Sequence, residues 1–192
     1  MSVQERKERE RAGRERLIVA TARELAEQQG WDAVTTRRLA ERIEYSQPVL
    51  YSHFRGKREI IGVVALEGAA ELAAAVRAAT SAADGPRARV AALARAYLDF
   101  AARNPAVYDA IFQLDGGLAY AREDTPEPLK DAFAALLETL GEVAGEGVHP
   151  ELFTETFWAA LHGLVTLTRA RRLPPEHTEA RMGLLVDRLA AL

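Results

Sequence analysis

Between Thr35 and Lys57 the chain gathers side chains that can hold an anion and read a polar edge. Thr35 and Thr36 offer hydroxyls, Arg37 and Arg38 guanidiniums, and Gln47 a carboxamide. Tyr51, Ser52, His53 and Lys57 add O–H and N–H donors, and Pro48 and Val49 add small apolar contacts. Such donors bond phosphate oxygens, and a glutamine can pair with a base edge. Other chemistries lack their groups. There is no cysteine, hence no disulfide, thiolate metal site or catalytic thiol. The four histidines, at 53, 149, 162 and 177, show neither an HExxH pattern nor paired-ligand spacing. No Ser-His-Asp spacing and no glycine-rich phosphate loop is present. No metal or cofactor is expected, and a helical enzyme is the reading these residues favour least.

Helices must position those side chains. Thr35 precedes a short helix expected from Thr36 to about Ile43, with Leu39, Ala40 and Ile43 as its apolar face. Its hydroxyl can accept an orphan N–H of the first turn. Glu44 and Tyr45 make a break. Ser46 stands as the next N-cap, and Pro48 falls in the first turn, where a missing N–H costs nothing. A second short helix is expected from Gln47 to His53, anchored by Leu50 and by Phe54 just beyond it. Two short helices across a tight turn form the helix-turn-helix pattern, whose second helix can enter a DNA major groove. Taken alone, the pattern also fits any two small helices in a bundle. Upstream, Leu17, Ala20, Thr21, Leu25 and Ala26 recur at helical spacing within Arg14 to Gln29, and Gly30 ends that helix. The Arg/Glu arm before it could extend the helix through Glu5–Arg9 and Glu10–Arg14 pairs. A frayed tail is the other option.

The composition agrees with an all-α fold. Of 192 residues, 48% are apolar and 37 are alanine, and Val, Ile and Thr never cluster in period-2 runs. Arginine outnumbers lysine 22 to 3, as in proteins of GC-rich bacteria. Residues 1–58 carry a net charge of +4 and residues 59–192 one of −7. A basic front on an acidic body suits a nucleic-acid-facing end, although a chance asymmetry gives the same count. The amino end has no apolar stretch of signal-peptide type. No run of about 18 uncharged apolar residues occurs. A cytoplasmic protein without membrane attachment is therefore expected.

The string Thr35-Thr36-Arg37-Arg38-Leu39-Ala40-Glu41-Arg42 is followed by Ser46-Gln47-Pro48-Val49-Leu50-Tyr51-Ser52-His53-Phe54-Arg55-Gly56-Lys57-Arg58-Glu59-Ile60-Ile61. Together with Gly30-Trp31, it strongly resembles the N-terminal domain of TetR-family transcriptional regulators, over about residues 14–62 without a gap. The resemblance implies a DNA-binding domain over 1–57 and a ligand-binding and dimerisation domain over 58–192. It implies a homodimeric, ligand-responsive repressor on a near-palindromic operator in double-stranded DNA, with an activator as the alternative. Thr35, Thr36, Tyr51, His53 and Lys57 would touch phosphate, and Gln47, Pro48 and Val49 would lie against base edges, with Ser52 exposed beside them. Arg37 and Arg38 are either phosphate contacts or solvated surface charges. One departure stands out: Glu44 occupies a turn position where the family commonly has glycine. A non-glycine residue there accepts an unfavourable φ at roughly 1 kcal/mol, and its carboxylate repels phosphate.

Downstream, helices are expected at Lys57–Ala79, Arg87–Arg103, Ala106–Leu114, Leu129–Ala144, Pro150–Leu173 and Glu176–Ala191, making nine in all. Residues 115–128 read as a mobile loop. Apolar residues cover about 240° of the helical wheel of Pro150–Leu173, more than one core needs. Phe153, Phe157, Ala160, Gly163, Leu164 and Leu167, with Met182, Leu185 and Leu189 from the last helix, are expected to pair with a second copy. A wholly central helix is the alternative. Trp158, His162 and Gly163 resemble the Trp-His-Gly signature of a C-terminal class called WHG. The family resemblance also implies a small-molecule effector, apolar or aromatic, lined by Tyr97, Phe100, Tyr108, Phe112, Phe133, Trp158 and His162. These aromatics serve equally well as plain core.

Overall fold

The structure is a computed structural model that describes residues 2–189, with the side chain of Leu189 not included. Nine α-helices and no strand occur among the described residues. They are α1 (Val3–Gln29), α2 (Thr36–Arg42), α3 (Gln47–Tyr51), α4 (Lys57–Ser81), α5 (Pro86–Arg103), α6 (Pro105–Phe112), α7 (Glu127–Leu140), α8 (Pro150–Arg169) and α9 (Thr178–Leu189). The expected helices are all present with shifted ends. The largest shift is at α1, where the arm is helical from Val3, started by a capping box between Ser2 and Glu5. Glu10 pairs with Arg6 at 3.7 Å.

The chain packs as two compact units. One comprises residues 1–68 and 104–124, the other residues 69–103 and 125–192. The packing boundary thus falls inside α4, and α6 belongs with the amino-terminal helices. Isolated helices this short gain little from propensity, so burial must hold them. Ile18, Ala22 and Leu25 of α1, Leu39 of α2, Leu50 of α3 and Ile60 and Val64 of α4 are fully buried.

Three residues near the end of α1 reach α6, each four positions after the last. Arg23 donates to Asn104 Oδ1 at 3.3 Å. The Glu27 carboxylate accepts the N–H groups of Ala106 and Val107, both at 3.1 Å. These are first-turn amides of α6, which have no intrahelical acceptor, and Asn104 does not cap them with its own side chain. Trp31 Nε1 donates to the Ala106 carbonyl at 2.7 Å. The loop after α6 is pinned to α4. Arg58 bonds Asp115 at 3.0 Å, and Asp115 accepts the Gly117 N–H at 2.9 Å. Those two bonds, the backbone one first, hold the Asp115 carboxyl below the usual range. Gly62 and Gly116 meet backbone to backbone: a Cβ on Gly62 would lie 2.6 Å from the Gly116 carbonyl oxygen.

In the second unit, α5 packs against α7, α8 and α9, around Val90, Leu93, Tyr97, Leu140, Phe157 and Leu161. Arg77 of α4 binds Asp131 through both oxygens, at 2.7 and 2.9 Å, and also Glu138. This holds the Asp131 carboxyl below its ordinary range. Arg87 binds Asp187, tying α5 to α9.

Removing the α6 cap tests the first unit. Glu27→Ala leaves two amides without an acceptor and should lower stability by about 1–3 kcal/mol. Urea unfolding measures the loss. Amide exchange should show Ala106 and Val107 deprotected ahead of the rest of α6.

Candidate nucleic-acid interface

The helix-turn-helix is built largely from local bonds. Thr35 Oγ1 accepts the Arg38 N–H at 3.2 Å, which starts α2. The turn closes with Tyr45 N–H on the Ala40 carbonyl at 2.9 Å. Glu44 sits in it at φ 57°, the left-handed conformation expected from its position. Ser46 occupies the N-cap of α3 without a side-chain hydrogen bond, and Pro48 lies in the first turn. Leu50 is 1% exposed and Phe54 7%, so both are anchors.

The opposite side of α3 is open. Gln47, Pro48, Tyr51 and Ser52 are exposed, and Val49 is half-buried. Tyr51 is 52% exposed, with its hydroxyl 3.4 Å from that of Thr36. Ser52 Oγ donates to the Val49 carbonyl at 2.7 Å. Thr35 is exposed and Thr36 half-buried at the start of α2. Arg37 is exposed and paired with Glu41 at 2.8 Å, which raises its pKa.

Three expected phosphate contacts have inward partners. Arg38 donates to the Ala33 carbonyl at 3.2 Å and to Gln29 Oε1 at 2.7 Å, clamping the turn that follows α1. The His53 ring is only 6% exposed, and its Nδ1 lies 3.2 Å from Glu15 Oε1. Lys57 Nζ donates to the Trp31 carbonyl. These cations help hold the domain together. The Glu15 carboxyl is held below its usual range by its bond to Arg11 and then by His53. Sequence reading did not single out Glu15, and no spacing rule links it to a histidine 38 positions on. It also passed over Arg55, whose side chain is 95% exposed just before Lys57.

The expected effector residues divide between the units. Tyr108 and Phe112 lie in the first, with ring centroids 4.8 Å apart. Tyr97, Phe100, Phe133, Trp158 and His162 lie in the second. Tyr97 is fully buried and its hydroxyl accepts from Trp158 Nε1 at 3.0 Å, so this phenol has the partner its burial requires. Phe100 is buried, and Phe133 is half-buried on α7. His162 is half-buried, and burial lowers its pKa.

The expected dimer residues also separate. Phe157 and Met182 are buried within the single chain and offer no surface to a partner. The wheel counted their apolar character without knowing which side of α8 or α9 its own core takes. Phe153, Ala160, Gly163, Leu164 and Leu185 are half-buried, and Leu167 is 45% exposed. Leu189 has its side chain outside the described residues. Leu152 and Leu184, 60% and 61% exposed, extend the open apolar surface of the two helices.

Residues 18–64 match the family model described as bacterial regulatory proteins, tetR family. Residues 90–189 match the one described as tetracyclin repressor-like, C-terminal domain. The chain belongs to the TetR family. This is a family of DNA-binding transcriptional regulators, not enzymes, and the matched N-terminal segment contains the whole helix-turn-helix. The Trp-His-Gly likeness rests on Trp158, His162 and Gly163 alone. Among relatives, an uncharacterised HTH-type transcriptional regulator, YobS of Bacillus subtilis (strain 168), is 32% identical over 96 residues. That alignment covers half of each chain, so this chain spans about half the length of that relative. A protein with unknown function from Rhodococcus sp. RHA1 has the same fold, with a TM-score of 0.76, 24% identity and coverage of 92% and 93% of the two chains. A TetR variant from Acinetobacter baumannii AYE, solved in complex with minocycline, has a TM-score of 0.65 and 23% identity over 91% and 92%. At these identities the two structures establish the fold.

Two measurements follow. Glu44→Gly relieves the positive φ and should stabilise the chain by about 1 kcal/mol, read as a higher midpoint in urea. His162 has a folded-state pKa below its unfolded value of 6.5, so the stability tied to its neutral form is complete above that pH. It should be lost as the pH falls below about 6.5, and His162→Gln should flatten the stability profile between pH 7 and 5.

Proposed function

We propose that this protein is a homodimeric, ligand-responsive transcriptional repressor that seats α3 in the major groove of each half of a near-palindromic operator. The observation that carries the reading is the two-sided character of α3. Gln47, Pro48, Tyr51 and Ser52 are open while Leu50 is buried on the far side. A rigid helix with a free polar face loses little order when it meets base edges. Gln47 is the reader of bases, and Thr36 and Tyr51, whose hydroxyls adjoin, contact phosphate. Thr35, Arg37 and Ser52 belong to the same exposed surface.

The exposed leucines of α8 and α9 support a two-fold pairing of these helices between copies, through the half-buried Phe153, Ala160, Gly163, Leu164 and Leu185 and the exposed Leu167. A two-fold dimer requires a two-fold operator. The minocycline complex of the Acinetobacter structure supports a small-molecule effector for this chain too. The aromatic character of Tyr97, Phe100, Phe133 and Trp158 favours an apolar or aromatic one. Effector and operator must then weaken each other reciprocally. None of the helices is long and apolar enough to cross a membrane among the described residues, in keeping with action in the cytoplasm.

Duplexes selected from a random library by the purified protein supply the test. Gln47→Ala should relax preference at one base position by about 1–3 kcal/mol. Tyr51→Phe should weaken binding to all sequences alike. A wild-type protein with no preference for any duplex over random competitor would overturn the reading.

A further inference from the structure

The Arg/Glu arm is the part of α1 that the helix-turn-helix does not use. Residues 3–11 are helical and exposed, about 13 Å of helix. Its charges are ordered. Lys7, Arg11 and Arg14 follow one another at four- and three-residue spacing, in phase with Ile18, Ala22 and Leu25, which form the buried stripe of the same helix. One face of α1 therefore changes from cations to core at Ile18. The four carboxylates of the arm each have a partner: Glu5 the Ser2 N–H, Glu8 the Gln4 amide, Glu10 the Arg6 guanidinium, and Glu15 both Arg11 and His53. The cationic stripe is less well satisfied. Arg14 Nε is buried without a hydrogen-bond partner, and Lys7 has no ion pair among the described residues.

The position of this stripe is set by one chain of bonds. Arg11 Nε lies 3.0 Å from Glu15 Oε1, and the same oxygen lies 3.2 Å from His53 Nδ1. His53 directly follows the turn that ends α3. The arm thus leaves the bundle beside the end of the reading helix, with its cationic face on the bundle side.

We propose that Lys7, Arg11 and Arg14 form a helical phosphate-binding arm that grips the DNA backbone flanking each operator half-site. Its occupant is nucleic acid because the free charge is cationic, points to the side on which α3 lies, and is continuous with α3 through Glu15. The proposal rests on the operator-binding reading above. It adds contacts outside the bases read by α3, which raise affinity and salt dependence without changing sequence preference.

The experiment compares two variants of the full chain that lose the same charge from different faces. Lys7→Ala with Arg14→Ala strips the stripe, leaving Arg11 to hold Glu15. Arg9→Ala with Arg16→Ala strips positions two residues further on, about 200° round the helix. Binding to a selected operator with ten flanking base pairs on each side is measured against salt. The stripe variant should show a log–log slope shallower by about 2, near 0.9 per lost phosphate contact, with the same selected sequence. The other variant should keep the wild-type slope. Trimming the flanks should bring wild type to the slope of the stripe variant. If thermal unfolding shows the double variant destabilised, Lys7→Ala alone should still flatten the slope by about 1. Equal flattening by both double variants would mean a diffuse field of charge and would overturn the arm. An unchanged slope in the stripe variant, with wild type binding its operator, would also overturn it while leaving the helix-turn-helix reading intact. Absence of any operator preference in wild type would remove that reading and this proposal together.

Discussion

A helix of five residues does not persist in water by itself. Its nucleation cost exceeds what one turn of hydrogen bonds returns. The reading surface of this protein is carried by such a helix, so its geometry depends on what lies behind it. Leu50 and Phe54 press α3 into a core made with Leu39, Val34 and Ile60. Around that core, Arg38 holds the turn after α1, Lys57 caps the Trp31 carbonyl and His53 meets Glu15. Charged groups at the ends of short elements are serving as braces. Without them the open face of α3 would be an ensemble of faces.

This bracing divides the cations of the domain into two sets. Arg38 and Lys57 have their donors turned to backbone carbonyls. Arg55 and Arg37 lie open, the latter beside a carboxylate that solvent and counterions screen. A count of basic residues at the amino end therefore overstates what is available to an anion. The same tally cannot distinguish a brace from a contact, because both are arginine or lysine within a few residues of one another.

Features with a local cause were readable before the fold was known. Thr35 had to cap α2, Pro48 had to fall in a first turn, and Glu44 had to take a left-handed φ, because each depends on its immediate neighbours. Features made by topology were not. Glu27 caps a helix that begins 78 residues later, and Trp31 bonds a carbonyl 75 residues away. No periodicity encodes such a meeting. The apolar arc of α8 shows the intermediate case. Its width was visible, yet only packing revealed that Phe157, Leu161 and Val165 face inward while Leu152 and Leu167 do not. The end of α8 was missed for a similar reason. Pro174 forbids continuation, but the backbone has already turned at Arg171, with φ 55°.

The facing glycines of α4 and the loop after α6 carry a consequence for how this protein can change over generations. Gly62 lies against the Gly116 carbonyl, and a side chain on Gly116 would strike the Gly62 backbone at 2.9 Å. Neither position can gain even a methyl group while the other strand of the contact stays where it is. Backbone, unlike a flexible side-chain tip, has no rotamer into which to retreat. Nor does a compensating replacement exist, since nothing is smaller than hydrogen. Descendants are free to rework the surfaces on either side, but this crossing is a point from which single-step drift has no exit.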